Sequence, residues 1–229
     1  MIRVASYNIR KGVGLDWHRT PERVLAVIAE LAADVVALQE ADRRFGTRQR
    51  AIPGEMLEQS GLKLVPLAER GESMGWHGNA ILVRSGIAVL QVSRLNLPYF
   101  EPRGAVSVSL SHGGEGFRVV GVHLGLSRRH RRQQILHILR HLDDNDDTPA
   151  IILGDFNEWR GHAVTAADFG DGHALHMPGH TFHARRPSAS LDRIVTRGAV
   201  SVLATGVNKS DLARRASDHL PIWADVSFG

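Results

Sequence analysis

Short apolar runs dominate this chain and restrict what it can fold into. Asp34 through Leu38, Ala80 to Arg84, Phe117 to His123 and Ala150-Ile151-Ile152-Leu153 are each too short for an ordinary helix, and each gives way to turn-forming or polar residues. Runs of that length and character read as β-strands, the unbroken ones as strands buried on both faces. Arg3-Val4-Ala5-Ser6-Tyr7-Asn8-Ile9 alternates like a strand, and Ile87 to Val92, Ala105 to Leu110, Leu191 to Thr196, Ser201 to Gly206 and Pro221 to Phe228 extend the set. The turn Ser111-His112-Gly113-Gly114-Glu115-Gly116 joins neighbours as a hairpin. Helical periodicity is rarer. Thr20-Pro21-Glu22 reads as a helix start with an N-cap and a first-turn proline, followed by the apolar stripe Val24, Leu25, Val27, Ile28 and Leu31. A second helix spans about Arg129 to Leu142, and Glu158 to Ser190 is irregular and rich in Gly and His. Strands that outnumber helices and follow one another through short turns describe a layered α/β protein on mainly antiparallel or mixed sheets.

The 229 residues suit one domain, 1–229, and hydrophobic and charged fractions of 43% and 23% are those of a globular chain with a full core. The absence of cysteine excludes disulfides, thiolate metal sites and a cysteine nucleophile, so any metal must be held by oxygen or imidazole. No run has the length of a membrane-spanning helix and no signal-peptide core follows Met1, which leads to the expectation of a soluble, cytoplasmic protein. Net charge is +4, and nearly all the cations are arginine. Arg128-Arg129-His130-Arg131-Arg132 reads as a solvated helix face, with a phosphate-rich substrate, nucleic acid or membrane surface as the alternative. Asp143-Asp144-Asn145-Asp146-Asp147 reads as a solvated loop, because contiguous acids lack the alternation of a calcium loop.

Chemistry concentrates where strands end. Asn8, Glu40, His123, Asp155 with Asn157, Asp192, and Asp218 with His219 each follow or begin an apolar run. Such ends converge in sheet proteins, so residues far apart in sequence can line one cleft. Oxygen donors with a few imidazoles favour a hard cation such as Mg²⁺ or Mn²⁺ over a closed zinc site.

Ser6-Tyr7-Asn8-Ile9, Leu38-Gln39-Glu40, Gly78-Asn79-Ala80-Ile81-Leu82, Val122-His123-Leu124, Gly154-Asp155-Phe156-Asn157, Leu191-Asp192-Arg193-Ile194 and Ser217-Asp218-His219-Leu220-Pro221 occur in this order along nearly the whole chain. With these motifs the sequence closely resembles the endonuclease/exonuclease/phosphatase superfamily, the DNase I-like metal-dependent phosphohydrolases. The resemblance implies a four-layer α/β sandwich, two mixed, mainly antiparallel sheets face to face with helices outside. It implies Glu40 as principal metal ligand with Asn8 beside it and Asp218 completing the network, and Mg²⁺ or Mn²⁺ as cofactor. It makes His219 the general base, or the histidine that bonds the scissile phosphate, with Asp192 orienting it. Asp155 and Asn157 position water or stabilise the transition state, and His123 holds a phosphate oxygen. Asn79 and Arg103 are the implied substrate contacts, although His77 stands where many relatives have tyrosine.

Such a set suits phosphoester hydrolysis, which needs an activated water, a cation on the phosphoryl oxygens and donors for developing charge. The superfamily acts on DNA, RNA, sphingomyelin and inositol phosphates, so the substrate stays open among a lipid headgroup, a small phosphodiester and nucleic acid. The leading expectation is a phosphodiesterase or phosphatase. A DNA nuclease, including the abasic-site type, is the alternative, and a catalytically silent phosphate-binding module is the alternative of another class. Trp76 and Trp159, each beside a motif, read as rim packing or as stacking surfaces. Oligomeric state is not readable from the sequence.

Overall fold

A computed structural model describes residues 1–43, 49–69, 71–98, 104–144, 147–159 and 166–229. Arg103 lies outside the described residues. The strands are β1 (Ile2–Asn8), β2 (Val35–Gln39), β3 (Leu62–Leu64), β4 (Ala80–Arg84), β5 (Ala88–Leu95), β6 (Gly104–His112), β7 (Glu115–His123), β8 (Ala150–Asp155), β9 (His173–His176), β10 (Asp192–Arg197), β11 (Val200–Val207) and β12 (Ile222–Phe228). The helices are α1 (Pro21–Leu31), α2 (Gly54–Gln59), α3 (Arg128–Asp143) and α4 (Ala213–Ala216).

The strands form two six-stranded sheets, ordered β11-β12-β1-β2-β4-β3 and β5-β6-β7-β8-β10-β9. Pairing is antiparallel except for β1 with β2 and β7 with β8. Each parallel pair is bridged by a long helix, α1 or α3, as parallel strands require. The hairpin between β6 and β7 turns on Gly113 and Gly114, both at positive φ (59° and 88°), the conformation a tight two-residue hairpin turn needs.

Alternation along the strands sorts the core into layers. Val4, Val35, Ala37, Ile81 and Ile222 of the first sheet meet Val106, Val119, Ile151, Leu153 and Ile194 of the second, forming the central seam. The opposite face of the first sheet, with Ala5, Tyr7, Val36, Leu38 and Leu82, is covered by Val24, Val27, Ile28 and Leu31 of α1, Leu57 of α2 and Ala213 of α4. The outer face of the second, with Val120, Val122, Ile152 and Val195, is covered by Ile135, Ile138 and Leu142 of α3. This is the four-layer sandwich.

Several local features differ from the sequence reading. Thr20 precedes α1 but its side chain makes no capping hydrogen bond. α2, α4, β3 and β9 are absent from the sequence reading, and β9 lies inside the stretch read as irregular. In the arginine run, Arg128, Arg129 and Arg132 are exposed as expected, but Arg131 is buried. It points inward and pairs with buried Glu158 at 2.6 Å while donating to the carbonyls of Gly125 and Leu126. No helix among the described residues is long and apolar enough to cross a membrane.

Candidate active site

Strand register assembles the site. In the second sheet His123 of β7, Asp155 of β8 and Asp192 of β10 are direct cross-strand neighbours, so they emerge side by side. Each continues the alternation of seam-facing residues, Val119 before His123, Ile151 and Leu153 before Asp155, and Ile194 after Asp192. In the first sheet Asn8 is paired with Gln39, which precedes Glu40. The two rows face each other at one end of the seam.

Gly154 lets that row form. Its φ of 154° is disfavoured for other residues, and a Cβ there would stand 2.0 Å from the carbonyl oxygen of Val122. Other residues of the site adopt left-handed conformations without being glycine: Arg10 (φ 45°), Lys11 (60°), Glu40 (52°), His77 (49°) and Asn157 (51°). Each such residue costs on the order of 1–3 kcal/mol, and strain of this kind gathers where geometry serves chemistry.

Asp155 is the hub. Buried to 1% exposure, it accepts from Asn8 Nδ2 at 3.1 Å and from the Asn157 backbone N–H at 2.9 Å. His123 Nε2 lies 3.4 Å and His219 Nε2 3.7 Å from its Oδ2. Burial is the largest influence on its carboxyl and pushes its pKa up to about 6, against the pull of His219.

His219 is oriented from behind. Its Nδ1 lies 2.9 Å from Asp192 Oδ2, and since a carboxylate can only accept, the imidazole carries the proton on Nδ1 and turns Nε2 toward Asp155. Thr181 Oγ1 donates to the same Asp192 oxygen at 2.5 Å, and Phe182 packs on the imidazole with ring centroids 5.1 Å apart. Burial opposes a charge on His219, but Asp192 and Asp155 outweigh it, and its pKa is pushed up to about 10. Neither Thr181 nor Phe182 stood out in the sequence, because both lie in the Gly/His-rich stretch read as irregular, where polar and apolar residues step repeatedly.

The remaining sequence candidates are placed as follows. Glu40 sits just beyond β2 with its carboxylate against the Lys11 ammonium. Asp218 turns to Arg10, whose Nε is 3.5 Å from its Oδ2, and Ser217 Oγ donates to the Asn8 carbonyl at 2.7 Å. Asn157 Nδ2 donates to the Leu124 carbonyl at 2.9 Å. Asn79 is fully buried and its Nδ2 donates to the Gly104 carbonyl at 2.9 Å, so its amide ties the start of β4 to the start of β6. Trp76 is half-buried, edge-on to His77, and Trp159 is 54% exposed with its ring against Phe182.

The site's donors suit a hard cation. Asp155, Asp192 and His219 are the group whose ligand atoms all lie within 4.8 Å of one another among the described residues. That trio is already joined by the Asp192–His219 hydrogen bond, and an imidazolium repels a cation, so its closeness is that of a proton-carrying pair. Glu40 and Asn8 offer oxygen on the opposite side, where a Lys11 ammonium already lies against Glu40 and shows the place to be favourable to positive charge.

The family model described as Endonuclease/Exonuclease/phosphatase family matches residues 5–219. The chain belongs to this family of phosphoester hydrolases. Among curated relatives it is 30% identical over 161 residues to the uncharacterized protein YbhP of Escherichia coli K12, a match that covers 66% of this chain and 63% of YbhP. The chain thus aligns with less than two thirds of that relative's length. Among solved structures it is similar to the D. rerio TDP2 complexed with single strand DNA product (TM-score 0.76, 18% identity, 99% of this chain and 98% of that one). It is also similar to the Bacteroides thetaiotaomicron mannosyl-6-phosphatase Bt3783 (TM-score 0.76, 16% identity, 100% of both chains). At these identities the two structures bear on the fold.

Proposed function

We propose that this chain is a divalent-metal-dependent phosphodiesterase or phosphatase in which His219 acts as general base. The observation that carries the reading is the His219 Nδ1 to Asp192 Oδ2 contact of 2.9 Å, with Nε2 turned to the Asp155 carboxylate in a buried row. A carboxylate that holds Nδ1 and fixes the ring orientation leaves Nε2 to take a proton from water once that nitrogen is unprotonated.

Glu40 and Asn8 would hold Mg²⁺ or Mn²⁺, with Asp218 at the edge of the same network through Arg10. A cation held there supplies positive charge to the phosphoryl oxygens and offsets the carboxylates that keep His219 protonated. The chain's own groups do the rest. Asp155, fixed by Asn8 and the Asn157 backbone, accepts a hydrogen bond from the attacking water and sets its direction toward phosphorus. His219 removes its proton through Nε2. His123, next to Asp155, would donate to a non-bridging phosphate oxygen, while Asn157, whose N–H holds the Asp155 carboxylate and whose Nδ2 holds the Leu124 carbonyl, keeps that carboxylate in place. Substrates of this chemistry include a small phosphodiester, a lipid headgroup or nucleic acid.

The test is hydrolysis of bis-p-nitrophenyl phosphate with Mg²⁺ or Mn²⁺ by the wild type, Glu40→Ala and His219→Ala. Removing a general base lowers kcat by about 10²–10⁴-fold. Full metal-dependent turnover by both variants would sink the assignment.

A further inference from the structure

Among the described residues Trp17 is the most exposed of the large aromatic side chains, at 77%, yet the loop that carries it is firmly tied. Val13 and Arg19 form a β-bridge at its base. Within it Gly14 N–H donates to the His18 carbonyl at 2.9 Å and Trp17 N–H to the Gly14 carbonyl at 3.0 Å. Leu15 N–H reaches the Arg215 carbonyl at 3.0 Å, and Asp16 pairs with Arg23 at 2.7 Å. An indole held out to water by a fixed loop is presented rather than left over, because fixing it beforehand reduces the entropy cost of a later contact.

One face of the indole is already used. The Arg10 guanidinium carbon stands 4.5 Å from the Trp17 ring centroid, and Arg10 Nη1 donates to the Gly14 carbonyl at 3.2 Å. Arg10 is at the same time part of the site: its backbone N–H donates to Asn8 Oδ1 at 3.1 Å and its Nε faces Asp218 at 3.5 Å. The guanidinium therefore lies between the indole and Asp218, the residue that precedes His219.

We propose that Trp17, backed by Arg10, is a stacking subsite for a planar ring carried by the phosphoester, a nucleobase or an aryl group, on the Asn8 and Asp218 side of the cleft. A flat ring on the free indole face completes a ring–indole–guanidinium stack, whose attraction comes from dispersion and the cation's field and is tolerant of ring identity. A sugar phosphate without a base, or a dialkyl phosphate, has no face to offer. The subsite rests on the phosphoester reading and adds ring recognition to it.

The experiment compares adenosine 5′-monophosphate with ribose 5-phosphate, each titrated calorimetrically into the wild type, Trp17→Ala and Trp17→Phe in the presence of Mg²⁺. Stacking predicts that the wild type favours the nucleotide by roughly 5- to 100-fold, that Trp17→Ala abolishes the preference and that Trp17→Phe keeps most of it. Ribose 5-phosphate should bind all three proteins alike. No binding of the nucleotide, no preference in the wild type, or a preference that survives in Trp17→Ala overturns the proposal. Hydrolysis of bis-p-nitrophenyl phosphate by the same wild type separately reports on the phosphoester reading, so a protein that stacks the nucleotide without turnover would retain the subsite and refute the enzyme.

Discussion

Asn8 donates its side-chain amide to Asp155 Oδ2 at 3.1 Å, and this bond crosses the seam between the two sheets to join residues 147 positions apart. It links the Arg10 side of the site to the His219 side, because Asn8 Oδ1 is engaged by the Arg10 backbone while Asp155 faces His219. The bond also favours the ionised form of a carboxylate whose pKa burial has pushed up to about 6.

Replacing Asn8 with Ala therefore has a pH-dependent cost. The hydrogen bond stabilises only ionised Asp155, so its loss is felt above about pH 6 and fades as the carboxyl protonates in the folded state below that. Loss of a donor to a buried carboxylate costs about 1–3 kcal/mol. Urea denaturation at pH 8 and pH 5 should show a larger deficit for Asn8→Ala at pH 8. The same deficit at both would mean the bond carries no charge assistance.

His219 sets a second pH dependence of opposite origin. Its pKa is about 10 in the folded protein against an ordinary 6.5, so protonation favours the fold. Its contribution is complete below about pH 6.5 and is lost as pH rises through 10. Asp155, also raised, has the same sign in a lower window: its contribution is complete below 3.8 and lost as pH rises through about 6. Thermal unfolding from pH 6.5 to 10 should show the wild type losing stability faster than His219→Gln. Parallel profiles would contradict an imidazolium held between Asp155 and Asp192.

Lys11 and Glu40 give a prediction about metal. The two side chains are each about one quarter exposed, 27% and 26%, so their attraction is partly screened. An ammonium against the carboxylate competes with a divalent ion, and an exposed pair of this kind is worth up to about 1 kcal/mol. Lys11→Met should tighten Mn²⁺ binding by roughly 5-fold, read by electron paramagnetic resonance titration, while Glu40→Gln should weaken it. Weaker Mn²⁺ binding in Lys11→Met would place Lys11 among the groups that support the cation.

The legible part of this protein is the part written in local pattern. Strands such as Ala80–Arg84 and the Gly113–Gly114 hairpin follow from run length and turn chemistry, and the resemblance carried by the ordered motifs leads to the four layers seen. Convergence of Asn8, His123, Asp155, Asp192 and His219 was readable for the same reason, since the first four sit at strand ends and His219 shortly before β12. What stayed hidden depends on partners distant in sequence. Arg131 looks like its exposed neighbours Arg129 and Arg132 until α3 docks and turns it to Glu158. Asn79 ties its Nδ2 to the Gly104 carbonyl, 25 positions away, a contact no local pattern shows. Thr181 and Phe182 acquire their relation to Asp192 and His219 only when their loop returns across β10. β9 is four residues of mixed polarity, too short to impose a period. Trp17 needed the loop geometry to separate an exposed indole from an incidental one.

Arg131, Glu158 and Arg193 form the remaining buried charge cluster, and its composition makes the effect of mutation asymmetric. Glu158 pairs with Arg131 at 2.6 Å, and it is also the neighbour that favours the charge on Arg193, against burial and against repulsion from Arg131. Breaking a buried pair by removing one partner is strongly destabilising, about 3–5 kcal/mol, because the other charge is stranded. Arg131→Met does not strand Glu158, which still faces Arg193, so its cost should fall at or below the low end of that range. Glu158→Gln removes the only acid of the three and leaves two buried guanidiniums repelling each other, so it should cost more than Arg131→Met. Because Glu158 directly follows Asn157 and precedes Trp159, Glu158→Gln should also lower kcat more than it raises KM. Guanidinium denaturation of both variants orders them, and an equal or reversed order would show that Arg193 does not draw on Glu158.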